Sequence, residues 1–131
     1  MGDILVRIPE RQQTHFFGDK MTSELAFWRF GKRPRNLTVG DYIFFSTSQG
    51  TVDGAQVQEI TTGRGLDSTL NKKQLRREDP SGAVNVVWPG RETVHFTAVT
   101  DINYAQQSFR YLTSEESKRL RRQIKRGVNS L

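Results

Sequence analysis

Short runs of alternating or continuous apolar residues predict four strands in the first half of this chain. Residues 3–8 (DILVRI) alternate with a period of two, which predicts a strand that ends at Pro9. Residues 23–30 (SELAFWRF) fit a strand better than a two-turn helix. Residues 41–47 (DYIFFST) are apolar almost throughout and predict a central strand covered on both faces. Residues 52–60 (VDGAQVQEI) are predicted to return as its antiparallel neighbour, and the internal glycine predicts a bulge or a close backbone approach.

A hairpin is predicted in the second half of the chain. Residues 83–88 (AVNVVW) and 93–100 (TVHFTAVT) flank the segment Trp-Pro-Gly-Arg. Within it, Pro89 and Gly90 match the two central positions of a type II turn, so the two runs are predicted to pair with each other. Residues 109–112 (FRYL) predict an additional edge strand.

The C-terminal residues predict a basic helix. Thr113 and Glu116 form a Thr-x-x-Glu capping box, the helix is predicted over residues 114–126, and Gly127 follows where a left-handed terminal residue is common. A narrow apolar stripe on the helical wheel consists of Ser117, Leu120 and Ile124. Lysines and arginines fill the opposite arc, so we expect the helix to present its guanidinium groups to water.

Length and the tally of elements predict one α+β domain. The 131 residues suffice for a single modest core, and thirteen aromatic residues support a folded domain. Five or six strands with one or two helices fit a small mixed barrel. Residues 61–82 are charged and weakly patterned, which predicts a flexible insertion within the single domain 1–131.

Positive charge is concentrated in two short stretches. The net charge is +6, yet residues 29–35 (RFGKRPR) alone carry four basic groups, and residues 114–131 carry six basic against two acidic groups. The remaining residues are therefore net acidic. Clustered cations are typical of a protein that binds a polyanion, although a solvated basic surface is the alternative.

Several classes of site are not predicted. Cysteine is absent, and His15 and His95 are not spaced as metal ligands, so we predict no disulfide, metal or cofactor and assign both histidines structural roles. No apolar run approaches the roughly 20 residues that span a bilayer. The first ten residues lack the basic segment of a secretory signal, so we expect a cytoplasmic protein without a membrane partner.

Several of these features together resemble the PUA-like superfamily, above all its ASCH and EVE branches. The resemblance is carried by Gly18-Asp19-Lys20, Glu24, Arg29, Pro34, the segment Leu37-Thr38-Val39-Gly40-Asp41 before the central strand, and Phe109-Arg110-Tyr111-Leu112 before the last helix. It covers roughly residues 3–60 and, more loosely, 93–124. It implies an α+β pseudo-barrel that holds RNA, or an extruded modified base, in a cleft beside the barrel.

Nucleic acid, either RNA or single-stranded or modified DNA, is therefore the predicted partner. Arginines and lysines would contact phosphates, and aromatic rings would stack on bases, with core packing as the alternative for the tryptophans. The candidate residues are Lys20, Trp28, Arg29, Lys32, Arg33, Arg35, Arg64, Trp88, Arg110, Lys118, Arg121, Arg122 and Lys125. Tyr104 and Tyr111 are weaker stacking candidates.

Two other functions stay open on the sequence. Some ASCH proteins are amidohydrolases acting on an acylated pyrimidine nucleoside, and the resemblance implies a catalytic set of Lys20, Ser23 and a carboxylate from Glu24 or Glu59. Such a mechanism needs a desolvated lysine whose pKa falls towards neutrality. Alternatively, the basic surface binds an acidic protein, as in a small adaptor or inhibitor of the phage or mobile-element type.

Overall fold

Eight strands and one α-helix form the greater part of the chain that the computed structural model describes, namely residues 2–8, 26–47, 50–61, 84–99, 102 and 109–129. The strands are β1 (Ile4–Arg7), β2 (Ala26–Phe30), β3 (Tyr42–Thr47), β4 (Gly50–Gln56), β5 (Glu59–Thr61), β6 (Val84–Trp88), β7 (Val94–Val99) and β8 (Phe109–Tyr111). A 3-10 turn spans Gly90–Glu92, and the helix α1 spans Ser114–Asn129. The predicted insertion 61–82 lies outside the described residues except for its first residue.

The described strands form two sheets. The first has the order β7-β4-β3-β1-β8 and the second the order β2-β6-β5. Strands β1 and β3 are parallel, and every other pair is antiparallel. The predicted α+β class is confirmed, with a mixed sheet, whereas the described strands do not close into one barrel. No described helix is long and apolar enough to cross a membrane.

Strand β3 is buried on both faces, as its continuous apolar sequence predicts. Phe45 points between the two sheets, where its ring lies 5.5 Å from those of Trp28 and Trp88. Phe44 points the other way and packs with Leu120 and Ile124 of α1. The central strand therefore separates an inter-sheet core from a smaller core beneath the helix.

The predicted Trp-Pro-Gly-Arg hairpin is wrong. Pro89 has the expected φ of −63° and ψ of 121°, but Gly90 has no positive φ and begins the 3-10 turn. The indole N–H of the buried Trp88 donates to Oγ1 of Thr93 (2.7 Å) across this turn. Strand β6 consequently stays in the second sheet, while β7 pairs with β4 in the first.

The run 52–60 is also divided between the two sheets. Its first part belongs to β4 and pairs antiparallel with β3, as predicted. The chain then leaves the first sheet, because Val57 N–H donates to the Asp41 carbonyl (2.8 Å) and Gln58 N–H donates to that of Val87 (2.9 Å). Strand β5 thus pairs with β6 in the second sheet.

The helix begins as predicted and ends later. Glu116 N–H donates to Oγ1 of Thr113 (3.2 Å), and Thr113 N–H donates to Oε1 of Glu116 (3.0 Å), which confirms the capping box. Leu120 is buried completely and Ile124 almost completely, which confirms the apolar stripe. The predicted end at Gly127 is wrong, because helical geometry continues to Asn129.

A substitution at Gly54 tests the close approach that its position in a strand predicts. An added Cβ would lie 2.6 Å from Cδ1 of Phe44 and 2.9 Å from Cδ1 of Ile124. We expect Gly54→Ala to lower the free energy of unfolding by about 1–3 kcal/mol through overpacking, measured by urea denaturation. Gly31→Ala is the matched control, since nothing lies within 4 Å of its added Cβ. Equal effects of the two substitutions would contradict the packing described for Gly54.

A second prediction concerns the ion pair at the start of α1. Two hydrogen bonds from Arg110 (2.9 and 2.7 Å) lower the pKa of Glu116 from 4.5 to about 2. Because this pKa is depressed in the folded state, the pair stabilises the fold above about pH 4.5 and ceases to do so towards pH 2. Allowing for partial exposure, we expect Glu116→Gln to destabilise the fold by roughly 1–2 kcal/mol at pH 7.

Acid titration of the unfolding free energy checks this expectation. The difference between wild type and Glu116→Gln should vanish as the pH falls towards 2. Glutamine keeps the capping geometry, so the variant removes the charge and not the cap. Glu115→Gln, in the same helical turn but exposed, should change stability by less than about 0.5 kcal/mol. A pH-independent difference for Glu116→Gln would show that the ion pair is not the cause.

Candidate functional site

The loop between β2 and β3 turns its cations outwards, while two of its apolar residues are buried. Pro34 and Leu37 are buried, and Leu37 N–H donates to the Pro34 carbonyl (3.2 Å). The three cations of this loop, Lys32, Arg33 and Arg35, are exposed. Arg33 additionally reaches the Leu37 carbonyl through Nη2 (3.5 Å), which limits the freedom of its side chain.

This loop adjoins the start of the basic helix. The backbone N–H of Asn36 donates to the hydroxyl of Tyr111 (3.1 Å), and Tyr111 ends β8, three residues before α1 begins at Ser114. A contact between residues 75 positions apart therefore brings the basic loop next to the residues that precede the basic helix.

Two of the predicted phosphate ligands hold the fold instead. Arg121 binds both carboxylate oxygens of Asp3 (2.7 Å each), and its guanidinium lies 4.5 Å from the centre of the Tyr42 ring. Arg110 is paired with Glu116 in the capping box. The prediction that the cations of the helical arc all face water is wrong for Arg121, because a buried carboxylate lies beside it.

The remaining helix candidates are exposed. Together with the loop cations they form a set that we call the basic face, consisting of Lys32, Arg33, Arg35, Lys118, Arg122 and Lys125. Within the described part of the chain, none of these six cations forms an ion pair. Arg29 is exposed on β2, on the strand face opposite Trp28.

The two tryptophans have different surroundings. Trp88 is completely buried, so its prediction as a base-stacking residue is wrong: its ring packs against Phe45, and its N–H is bonded to Thr93. Trp28 is half-buried against the same core. Tyr111 is 37% exposed beside the basic loop. Aromatic surface near the basic face is therefore supplied by Tyr111 rather than by Trp88.

The catalytic set implied by the ASCH resemblance falls largely outside the described residues. These undescribed positions are Lys20, Ser23 and Glu24, together with the phosphate candidate Arg64. Glu59 is described and lies half-buried in β5. In the described residues, no three histidine, aspartate or glutamate side chains come together as a metal-binding group.

A buried aspartate beside an exposed histidine is a second feature, and the sequence did not indicate it. Oδ1 of Asp53 in β4 lies 2.6 Å from Nδ1 of His95 in β7. The Asp53 side chain is completely buried, whereas that of His95 is 55% exposed. An ionised carboxylate only accepts hydrogen bonds, so the proton of this bond resides on Nδ1. The pair has the arrangement of a proton-transfer site, with a carboxylate that orients an imidazole.

The environment of Asp53 is unfavourable for a charge. Burial raises its pKa from 3.8 to about 6, although the bond from His95 acts in the opposite direction. Its second oxygen, Oδ2, has no hydrogen-bond partner among the described residues. A buried acceptor left unbonded costs about 1–3 kcal/mol. The sequence signal for this pair was weak, because an aspartate and a histidine 42 positions apart are matched only by strand register.

Comparison of the chain with protein-family models, with curated proteins and with solved structures found no match. The resemblance to the PUA-like superfamily therefore stays a prediction.

Opposite pKa shifts predict opposite pH responses for two buried aspartates. The folded-state pKa of Asp53 is raised, so wild type loses stability as the pH rises from about 4 to about 7, by up to roughly 3 kcal/mol. Asp53→Asn has no such ionisation. We therefore expect it to gain stability relative to wild type across this range, measured by urea denaturation at each pH.

Asp41→Asn is the matched control. Burial raises the pKa of Asp41, but hydrogen bonds from Thr38 and Gly2 outweigh burial and lower it below 3.8. Ionised Asp41 therefore stabilises the fold above about pH 4, so Asp41→Asn should be less stable than wild type by a constant amount from about pH 4 to 7, and the difference should shrink only as the pH falls below that range. Parallel curves of unfolding free energy against pH for wild type and Asp53→Asn would contradict the unfavourable environment described for the charge of Asp53.

Proposed function

We propose that this protein binds nucleic acid through the basic face. The observation that carries the proposal is the hydrogen bond from Asn36 to Tyr111, which joins the basic loop to the start of the basic helix. This contact brings the loop cations next to the residues that precede the helix, which carries the second charge cluster. A continuous cationic surface suits an extended polyanion better than two separate patches would.

The pairing of the cations with carboxylates supports the same function. Arg110 and Arg121 are bound to carboxylates and stabilise the helix, whereas the six cations of the basic face form no ion pair among the described residues. Phosphate groups would supply the missing anions without breaking an existing pair. From Lys118 to Lys125 the helix rises about 10 Å, which matches roughly three phosphates of one strand.

The superfamily resemblance narrows the class of nucleic acid that we propose as the ligand. We infer that the two sheets are an open pseudo-barrel of the PUA-like kind, since residues of both sheets share one core around Phe45. The partner is then RNA, or single-stranded DNA with an accessible base. Tyr111 and the half-buried Trp28 are the aromatic residues available for stacking.

Salt dependence of binding tests the proposal. Fluorescence anisotropy should show binding to single-stranded RNA, with log K falling linearly against log salt by roughly 0.7 per phosphate neutralised. We expect Arg33→Ala/Arg35→Ala to weaken binding to all sequences about equally and to flatten that slope by about one unit or more. Single-stranded DNA and duplex RNA measured in parallel identify the preferred ligand.

Arg33→Lys/Arg35→Lys is the control. It keeps both charges, so the slope should stay near that of wild type, even if affinity falls through loss of the guanidinium forks. Absence of binding to all three nucleic acids at low salt would refute the proposal. Equal slopes for wild type and the alanine variant would place the binding surface elsewhere.

A further inference from the structure

The ring of Tyr111 is held in a fixed position at the edge of the first sheet. Its hydroxyl accepts the N–H of Asn36 (3.1 Å), and its ring meets that of Phe109 edge to face, at 5.7 Å and an interplanar angle of 89°. Phe109 in turn contacts the ring of Phe30 at 5.3 Å and packs against the inter-sheet core. The ring is nevertheless 37% exposed. A ligand that stacks on it therefore pays little conformational entropy for ordering the side chain.

Strand register places Tyr111 on the side of the loop and not on that of the helix. Tyr111 is the register partner of Ile4, whose side chain belongs to the inter-sheet core. The next residue, Leu5, points to the opposite face of the sheet, where it packs with Leu120 of α1. Tyr111 therefore lies beside the basic loop, to which Asn36 belongs, rather than beneath the helix.

Two guanidinium groups belong to the segment that holds the Tyr111 ring. Arg35 is exposed and directly precedes Asn36, with about 3.8 Å between their Cα atoms. Arg33 is also exposed, and its Nη2 lies 3.5 Å from the carbonyl oxygen of Leu37, the residue after Asn36. Neither arginine forms an ion pair within the described part of the chain. The loop thus combines two cations that have no counter-charge with a fixed aromatic ring.

The same loop exposes apolar surface. Val39 is 60% exposed and follows Asn36 by three residues; Val39 and Tyr111 are the large apolar side chains that the described part of the chain exposes. Trp28, by contrast, packs against Phe45 in the inter-sheet core. Cations alone suffice to bind a polyanion without bases. A nucleotide presents a flat apolar base beside its phosphate, so it matches a surface that offers both cations and an exposed ring.

We propose that Tyr111 and the basic loop form a subsite for one unpaired nucleotide, in which the base stacks on the Tyr111 ring and Arg33 and Arg35 bind the adjoining phosphates. This inference rests on the proposed function and makes it more specific, because it assigns the base contact to the loop and only phosphate contacts to the helix. A base paired within a duplex has no free face for the ring. The subsite therefore selects single strands and distinguishes them from polyanions that lack bases.

The direct test uses a short end-labelled oligonucleotide that carries one 2-aminopurine flanked by abasic nucleotides, so that only one base can stack. We expect the fluorescence of 2-aminopurine to fall when the purified full chain binds, because stacking on an aromatic ring quenches it. Tyr111→Leu keeps an apolar side chain without the ring, so it should bind the probe without this quenching. Anisotropy of the end label measures the bound fraction in the same samples.

Affinities separate stacking from charge. We expect Tyr111→Leu to bind single-stranded RNA about 5- to 100-fold more weakly than wild type, the usual contribution of one stacked base, with an unchanged salt slope. A fully abasic strand should bind wild type and Tyr111→Leu equally. Tyr111→Phe keeps the ring and loses only the hydrogen bond to Asn36, so it should retain the quenching and lose less affinity than Tyr111→Leu.

A double-mutant cycle tests whether the ring and the loop hold the same nucleotide. Combining Tyr111→Leu with Arg35→Ala should weaken binding by a factor that differs at least about twofold from the product of the two single factors, because groups that hold one nucleotide are coupled. Lys125→Ala is the matched control, since it removes an exposed helix cation about 16 Å along α1 from Ser114. Its factor should simply multiply that of Tyr111→Leu. Circular dichroism confirms that each variant is folded.

The outcomes distinguish this inference from the proposed function. Binding without quenching, an abasic strand bound as tightly as RNA by wild type, or independent effects of Tyr111→Leu and Arg35→Ala would overturn the subsite and leave nucleic-acid binding standing. Quenching that persists in Tyr111→Leu would overturn the assignment of the base to Tyr111. Absence of any binding at low salt overturns the proposed function and, with it, this inference.

Discussion

The position of the helix on the sheet depends on the hydrogen bonds of the Asp3 carboxylate. It accepts the N–H of Tyr42 (2.8 Å), the hydroxyl of Ser117 (2.9 Å) and two guanidinium bonds from Arg121 (2.7 Å each). One nearly buried group thus connects β1, β3 and α1. Loss of Arg121 would leave the buried Asp3 carboxylate without its counter-charge, which typically costs about 3–5 kcal/mol. The apolar stripe of the helix is narrow, so this pair largely determines how the helix lies on the sheet.

The orientation of the helix also divides the cations into two groups. Arg110 and Arg121 bind carboxylates and belong to the architecture, while the lysines and arginines of the basic face remain exposed. Net charge alone does not make this distinction, since it counts both groups equally. The hydrogen bond between Asn36 and Tyr111 then holds the basic loop beside the residues that precede the helix. The exposure of the helix cations therefore follows from the same contacts that hold the helix in place.

Strand β3 separates the two hydrophobic cores of the domain. On one face Phe44 packs beneath the helix, and on the other Phe45 fills the space between the sheets. The Asp53 carboxylate lies beside Phe45 on the inter-sheet side, and its Oδ2 has no hydrogen-bond partner among the described residues. Packing optimised for stability alone would not leave a buried acceptor unbonded. Asp53 is therefore a position at which the packing between the sheets costs free energy.

Local patterns in the sequence determined the strands around residues 4–7 and 42–47 and the capping box of α1, because alternation, continuous burial and capping depend on residues close in the chain. Local patterns did not predict the elements whose pairing depends on residues distant in the sequence. Pro89-Gly90 fits a hairpin turn, yet strands β6 and β7 join different sheets, because burying Trp88 is worth more than a local turn preference. Local patterns also did not predict the Asp53–His95 pair or the contact between Asn36 and Tyr111. Strand register and burial are properties of the whole fold, and only the tertiary structure decides which distant residues meet.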